Sequence, residues 1–522
     1  MIIVQNITAP LGSTAEEIVS LARKRIGRAD VRSSNIHKIS LDARKHDDIK
    51  LNASVCFSLT DSEEQRLAGK DFITYVSNEP FRPVITGDEI PDGRIAVVGF
   101  GPAGMFAALV LAEAGYRPIV LERGGDADTR ARAVNEYQSG GKLDESSNVQ
   151  FGEGGAGTFS DGKLTTRIKD PLCRYVSKRL TEFGAPDEIM TRAKPHIGTD
   201  NLIGIVKNIR KHIIAHGGEI RFNTAAESID IKNGRITAIH TKDEVIPVSA
   251  AVFAIGHSAR DTFEMLLEKN VAMQAKAFAV GARIEHTQKS VNESLYGSTD
   301  NPLLPVGEYQ LSYTKGRGVY TFCMCPGGQV VASQNENGTI VTNGMSRFAR
   351  DGKNANSALV VTVGTDDFGN DVLDGVRFAE KIERRAFTLG NGYAPASTVK
   401  AFLSGRASLE GASVSPTYLP GVTETDLNLL FPEFISEHLK TGLHIFSRRM
   451  KCFADGGAVL TAPETRTSSP VRILRGDDMQ SITVKGLFPC GEGAGYAGGI
   501  MSAAVDGIKQ AQAVMSIYKE AQ

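Results

Sequence analysis

The string Ile95-Ala96-Val97-Val98-Gly99-Phe100-Gly101-Pro102-Ala103-Gly104 constrains this chain more than any other. Apolar residues that suit a buried strand run into GxGxxG, and the apolar stretch that follows reads as a helix ending at Gly115. A second strand, from Pro118 to Leu121, stops at Glu122, which lies 18 residues after Gly104. In such a unit each glycine has its own task. Gly99 turns the backbone, Gly101 lets it touch a pyrophosphate, and Gly104 lets helix pack close on strand. The helix N-terminus at Pro102 and Ala103 offers unpaired N–H groups and a partial positive charge to phosphates. Glu122, with Arg123 beside it, stands where an acid accepts ribose hydroxyls. Residues 95–112 hold no charge over 18 positions, the nominal length of a membrane span. The glycines and Pro102 in the middle make them strand, turn and helix instead.

Around this unit the chain divides. Its 522 residues suggest about two to four domains at roughly 150 residues each. Residues 1–76 read as a β-α-β-β module: Ile2, Ile3, Val4 and Ile7 form a strand, and Ser13-Thr14-Ala15-Glu16 forms a capping box. Ile18, Leu21, Ala22 and Ile26 then share one helix face, and alternating strands follow near 39–43 and 49–59. Residues 77–93, with Pro80, Pro83, Gly87, Pro91 and Gly93, read as a linker. The nucleotide-binding part is expected over 94–261, with a long helix and short strand at 198–222 and a meander over 225–255. A substrate or cap domain is expected over 262–480, and a return to the first sheet over 481–522, with a helix from about 500 to 518.

Two further glycine patches and one turn belong with the first motif. Gly152-Glu153-Gly154-Gly155-Ala156-Gly157 matches GxGxxG as a string, but Thr158-Phe159-Ser160-Asp161-Gly162-Lys163 follows instead of an apolar helix. It is therefore a loop of exposed N–H groups able to wrap a phosphate or a planar ring. Gly491-Glu492-Gly493-Ala494-Gly495-Tyr496-Ala497-Gly498-Gly499-Ile500-Met501 opens the last helix, where side-chain-free backbone suits a ligand edge that becomes negative. Ala254, Ile255 and Gly256 end the meander and turn back toward the nucleotide.

Together, in order and spacing, these elements resemble the fumarate reductase and glutathione reductase flavoprotein superfamily. The strings SSNVQFGEGGAGTFSDGKL, GARIEH, TFCMCPGGQVV, TNGMSRFAR and GLFPCGEGAGYAGGI are similar to a largely uncharacterised bacterial family of FAD-dependent dehydrogenases, the NAD(FAD)-utilising type. The resemblance covers essentially the whole chain. It implies an α/β fold: a Rossmann-like FAD domain of glutathione-reductase type with a β-meander, an inserted α+β substrate domain, and the small N-terminal module. It also implies FAD held by Gly99, Gly101, Pro102, Ala103, Gly104, Glu122, Arg123, Gly154, Gly155, Ala156, Gly157, Thr158, Ser160, Gly162, Lys163, Ala254, Gly256, Gly491, Glu492, Gly499, Ile500 and Met501. Many superfamily members place Asp in the C-terminal motif, where this chain has Glu492.

Composition narrows the function. Lys and Arg total 59 against 60 Asp and Glu, a net charge of −1 that gives no footprint for nucleic acid. The alternative is a non-catalytic or RNA-modifying flavoprotein whose N-terminal module binds a partner, but residues 1–92 hold 12 basic and 14 acidic side chains, so no basic footprint supports RNA. A plain NAD-dependent dehydrogenase would not need glycine patches near 155 and 495. The leading expectation is an FAD oxidoreductase moving a hydride between non-covalent FAD and a small-molecule substrate, with NAD(P)H bound at most transiently. The link is non-covalent because no His or Cys lies within 152–163. The six cysteines, Cys56, Cys173, Cys323, Cys325, Cys452 and Cys490, form no CxxC pair and suit a reducing, cytoplasmic setting. Residues 1–12 lack the pattern of a signal peptide, and neither a membrane nor a metal is expected. Cys323 and Cys325, two apart on a strand, are expected to share a buried face. His257, Arg283, His286, Arg347, Arg350 and Lys451 are the polar candidates for a substrate pocket.

Overall fold

A computed structural model describes residues 1–67, 69–75, 86–297 and 301–520. Its centre is the sheet predicted from the GxGxxG unit. Glu219–Arg221, Ile119–Leu121, Arg94–Val98, Val245–Phe253 and Leu487–Pro489 lie side by side and parallel. Ile95, Val97 and Val98 are buried on both faces of the sheet, as expected for strands covered on each side. Val245–Phe253 is long enough to serve twice. Its first half pairs antiparallel with Arg235–His240, which pairs with Ser228–Lys232 to give the meander, and its second half joins the parallel strands.

The helix Pro102–Glu113 is apolar all round, and ten of its residues are buried. Such a helix needs cover on every side. The sheet lies beneath it, Ile500–Met515 packs along it, and Thr199–Ala215 flanks it. Close approach depends on missing side chains. A Cβ on Gly507 would come within 2.0 Å of the Ala103 carbonyl oxygen, and one on Gly104 within 1.9 Å of the Gly99 oxygen.

A second large sheet lies in the stretch read as the substrate domain. Its order is Ser312–Tyr313, Val319–Cys325, Asn354–Val363, Phe278–Thr287, Val459–Glu464, Ala394–Thr398, Val422–Glu424. Phe278, Val280, Ala282 and Ile284 face a core covered by Glu433–Ser447, whereas Gly281, Arg283 and Glu285 face the opposite way. A hairpin of Gln329–Ala332 and Thr342–Met345 stands over that opposite face.

The N-terminal residues form an antiparallel sheet in the order Val31–Asp42, Lys50–Leu59, Ile2–Pro10, Ile73–Tyr75. With Ala15–Ile26 and Asp61–Leu67 this is the split β-α-β arrangement. The second helix and fourth strand extend the β-α-β-β pattern read from the sequence. Ile2, Val4, Ile18, Ala22, Val55 and Phe57 enclose a core of its own. The capping box is one residue later than expected. Thr14 is extended, accepts from Glu17 N–H at 3.2 Å, and receives the Glu17 carboxylate on its own N–H at 2.8 Å. The module is docked by backbone. Ile39 donates to Thr191 O at 2.7 Å and accepts from Ala193 N–H at 2.8 Å. Most of the 77–93 linker, residues 77–85, lies outside the described residues. No described helix is long and apolar enough to cross a membrane.

Candidate functional site

The glycine segments meet at the carboxyl ends of the parallel strands, the usual ligand edge of an open α/β sheet. Gly99 turns with φ +95, and a Cβ there would lie 2.4 Å from the Ala254 oxygen, so the turn after the first strand and the turn at 254–256 press together. The 152–163 loop then closes on the first turn: Gly154 N–H donates to Phe100 O at 2.9 Å, and a Cβ on Gly155 would lie 2.9 Å from Gly101 Cα. From the other side, a Cβ on Gly491 would lie 2.8 Å from Ala103 Cβ, and Gly157 faces Ile500. Met501 is buried behind it. Sequence-distant glycines thus converge because backbone must touch backbone.

Other glycines at the same place have no such reason. Gly101 has φ −78, open to any residue, and its Cβ would meet only Gly155 Cα at 3.7 Å, an ordinary contact. Gly498 lacks a positive φ, and its Cβ would meet nothing within 4 Å. Gly256 and Gly499 also face open space, although their φ values of +71 and +124 already favour glycine. The helices starting at Pro102 and Ile500 both lack a side-chain cap. Two uncapped helix N-termini and glycines facing open space therefore lie together at this edge of the sheet.

The polar residues behave differently from one another. Glu122 is only 4% exposed, and its carboxylate accepts N–H from Phe100 at 2.8 Å, Gly124 at 2.9 Å and Gly152 at 3.0 Å. It ties three turns together, and of its roughly four acceptor positions about one remains for a ribose hydroxyl. Arg123 pairs with Asp261 at 2.9 Å and lies over the Phe151 ring. Within the loop, the Ser160 hydroxyl donates to Gly157 O at 2.6 Å and accepts from Gly162 N–H, while Thr158 is buried and donates to Glu153 O. Their hydroxyls shape the loop. Ala156 is half-buried in it.

Lys163 leaves the loop toward the second sheet and meets Glu308 at 3.0 Å. Asp161 receives Arg350 through two nitrogens, and Arg350 also approaches Glu308 at 3.5 Å. Burial acts to raise the Glu308 pKa, but Lys163, Lys194 and Arg350 together hold it down at about 2. His257 Nδ1 sits 3.7 Å from Glu492 Oε1, with its Nε2 buried and unpartnered.

Four pocket candidates are placed elsewhere than expected. Arg283 is fully buried and all five donors are spent, on Glu464 twice, Cys323 O, Asn356 and Asn343, at 2.8–3.1 Å. It holds the sheet face together and has no N–H left for a ligand. His286 points to the helix-covered side, against Tyr309 and Phe453, and burial lowers its pKa to about 4, keeping it neutral. Arg347 is exposed beside Asp351, and Lys451 is exposed on the short turn Lys451–Ala454. The cysteine pair also departs from expectation, because a bulge breaks the alternation and leaves Cys323 half-buried while Cys325 is buried.

Sequence reasoning missed the residues that shape the loop. Arg130 is fully buried and donates to the carbonyls of Asn148, Val149 and Glu153 at 2.7–2.8 Å. Burial lowers its pKa to about 10 against the pull of Glu122 and Glu153, so it stays charged at neutral pH. Glu153 is itself buried, accepting from Ala127 N–H at 2.7 Å and pairing with Arg210 at 3.2 Å. A basic residue on an otherwise ordinary helix gave no sign of this.

A Clostridium beijerinckii protein, described as uncharacterized, is 48% identical over 503 residues, covering 94% of this chain and 94% of its own length. The chain belongs to that protein's family. Residues 277–467 match the family model described as FAD-dependent protein, C-terminal domain-like. Among solved structures, a glycine oxidase from Bacillus cereus is similar with a TM-score of 0.36 and 10% identity, over 82% of this chain and 99% of that one. NikD, described as an unusual amino acid oxidase, gives 0.35 and 12% over 82% and 95%. Scores this low carry no argument about what this family member does.

Proposed function

We propose that this family member is an oxidoreductase that holds FAD non-covalently and passes a hydride between it and a small-molecule substrate. The observation that carries the reading is the pair Gly101 and Gly498, glycines that neither backbone angle nor packing requires, beside two uncapped helix N-termini. A ligand that must touch bare backbone supplies the missing reason. The FAD-dependent family match over 277–467 agrees with it from the other half of the chain.

FAD would supply the two-electron chemistry at this site. The chain's own part is binding and orientation. N–H groups of Ala103 and Gly104, beyond the Gly101 turn, would hold the pyrophosphate. Glu122 fixes three turns and would offer its remaining acceptor position to a ribose hydroxyl. Gly154, Gly155 and Gly157 give a side-chain-free wall opposite the start of the last helix, where Gly499 and Ile500 present backbone. His257 and Glu492 stand 3.7 Å apart at the start of the last glycine segment, and Lys163 and Arg350 are anchored on Asp161 and Glu308 toward the second sheet. Any nicotinamide would act as a transient hydride donor.

The test is the purified protein's absorption spectrum, followed by acid precipitation and anaerobic reduction with NADH, NADPH and a metabolite panel. The reading expects a yellow protein that releases all its flavin into the acid supernatant and is bleached by at least one donor. A colourless protein that also takes up no added FAD overturns it.

A further inference from the structure

The even charge of the N-terminal module hides an uneven placement. Several of its acids are spent inside the module. Asp42, Asp48 and Glu63 pair with Arg44, Lys50 and Arg66 at 2.6–2.7 Å, and Glu64 pairs with the Met1 amino group at 3.1 Å. Glu16 and Glu17 stand in the first turn of the helix Ala15–Ile26, at the end away from its basic residues. Residues 23–32, by contrast, hold Arg23, Lys24, Arg25, Arg28 and Arg32 against Asp30 alone. All six of these residues are exposed.

Most of these cations have nothing to hold. Arg23, Lys24, Arg28 and Arg32 make no side-chain hydrogen bond or ion pair among the described residues. Arg25 donates to Gln5 O at 2.9 Å and Asn6 O at 2.8 Å, and it shares the Phe72 ring with Lys70, at 5.8 and 5.9 Å from the ring centre. Lys70 thereby joins the same patch. A helix favours cations in its last turn, which accounts for Arg23, Lys24 and Arg25. That field fades beyond the C-cap at Gly27 and gives no reason for Arg28 or Arg32. Arg32 opens Val31–Asp42, the outer strand of the module's sheet, and Ser33, Asn35 and Lys38 are exposed further along it.

We propose that this patch binds a duplex nucleic acid through its phosphates, without reading bases. The function is separate from the flavin reading and independent of it. Guanidinium groups match phosphate oxygens in pairs, and hydroxyl, amide and strand-edge N–H groups are the other usual phosphate donors. A protein partner asks for an apolar or aromatic anchor at the centre of the contact, and a membrane entered by a helix asks for apolar side chains. Among the described residues before Tyr75 no large hydrophobic side chain is exposed. A single strand needs exposed rings for its bases to stack on. Tyr75 is exposed, but its hydroxyl donates to Glu64 O at 2.6 Å, among the acids of the helix Asp61–Leu67. The near-zero charge of the whole chain is no bar, because exposed charges act over only about 10 Å at 0.1 M salt.

The experiment follows the anisotropy of fluorescein-labelled RNA and DNA duplexes of about 16 base pairs against the purified full-length protein. Salt is varied from about 50 to 200 mM, and the tighter of the two duplexes identifies the source of the phosphates. If about four cations meet phosphates, log affinity should fall against log salt with a slope of about −3.6. Arg28→Ala with Arg32→Ala should flatten that slope by about 1.8 and weaken binding roughly tenfold or more at about 100 mM salt. Neither side chain has a partner, so the melting curve should not move. Lys232→Ala with Lys242→Ala, the same charge change at exposed positions of the meander, should bind as the wild type does. A wild-type protein that leaves both duplexes free at about 50 mM salt overturns the proposal. So does a patch variant with wild-type affinity and slope, or a meander variant weakened as much as the patch variant. Capture by phosphatidylserine vesicles without binding to either duplex overturns it in favour of a membrane surface.

Discussion

Gly101 and Gly104 stand three residues apart on one turn, yet the space around them makes opposite demands. A side chain on Gly104 would run into the Gly99 carbonyl oxygen at 1.9 Å, so Gly104→Val should cost about 3 kcal/mol or prevent folding, read as a large fall in Tm. Glu122 gives a different outcome. Glu122→Ala strands three buried backbone N–H groups, each costing about 1–3 kcal/mol, so both Tm and FAD affinity should fall. An unchanged melting curve would show that the carboxylate is dispensable to these turns. The glycines and Glu122 were legible in the sequence because a tight turn, a close crossing and a strand end are local events with fixed spacing. Arg283 and His286 were not, because the strand pattern shows which residues alternate but not which face gathers Glu464, Asn343 and Asn356. Burial of a charge depends on partners from distant segments.

At the scale of elements, the 148–154 stretch that leads into the short 3-10 turn Gly155–Phe159 is held from inside by Arg130. Arg130→Met keeps the volume and removes the donors to Asn148, Val149 and Glu153, charge-assisted bonds worth about 1.5–3 kcal/mol each at most. The variant should lose FAD occupancy and gain proteolytic cleavage within the loop, and full occupancy would show that the loop is set by other contacts. The N-terminal module behaves as a separate element with its own core, joined through the Ile39 backbone pair to Thr191 and Ala193. Deleting residues 1–76 should therefore leave FAD occupancy near that of the full chain while lowering stability at the 188–193 turn. A folded truncated protein without flavin would make the module part of the cofactor site. Strand alternation over residues 49–59 revealed the module; its short last strand, Ile73–Tyr75, gave too little pattern to be seen.

Over the whole molecule, the two large sheets are joined by buried ions that composition does not disclose. Glu383, fully buried on the helix Asp374–Leu389, binds Arg260 at 2.9 Å and Arg466 at 3.0 Å. Burial acts to raise its pKa, yet Arg466 and Arg260 hold it down at about 2, as the cations around Glu308 do for that group. A carboxylate depressed in the folded state adds stability above its unfolded value near 4.5, and that contribution drains away as pH falls toward about 2. Glu383→Gln should thus be about 3 kcal/mol less stable at neutral pH, with a flatter loss of stability across that acid window. Equal slopes for the two proteins would remove Glu383 from the acid transition. The central claim is that glycine segments from residue 99 to residue 499 build one FAD cradle. Gly101→Val tests it most directly, because a Cβ at this position would make only one ordinary contact, 3.7 Å from Gly155 Cα, so the fold is expected to stay intact. Titration of FAD into the flavin-stripped variant and wild-type protein should show binding lost in the variant, with circular dichroism unchanged. Wild-type affinity in a folded Gly101→Val protein would contradict the account.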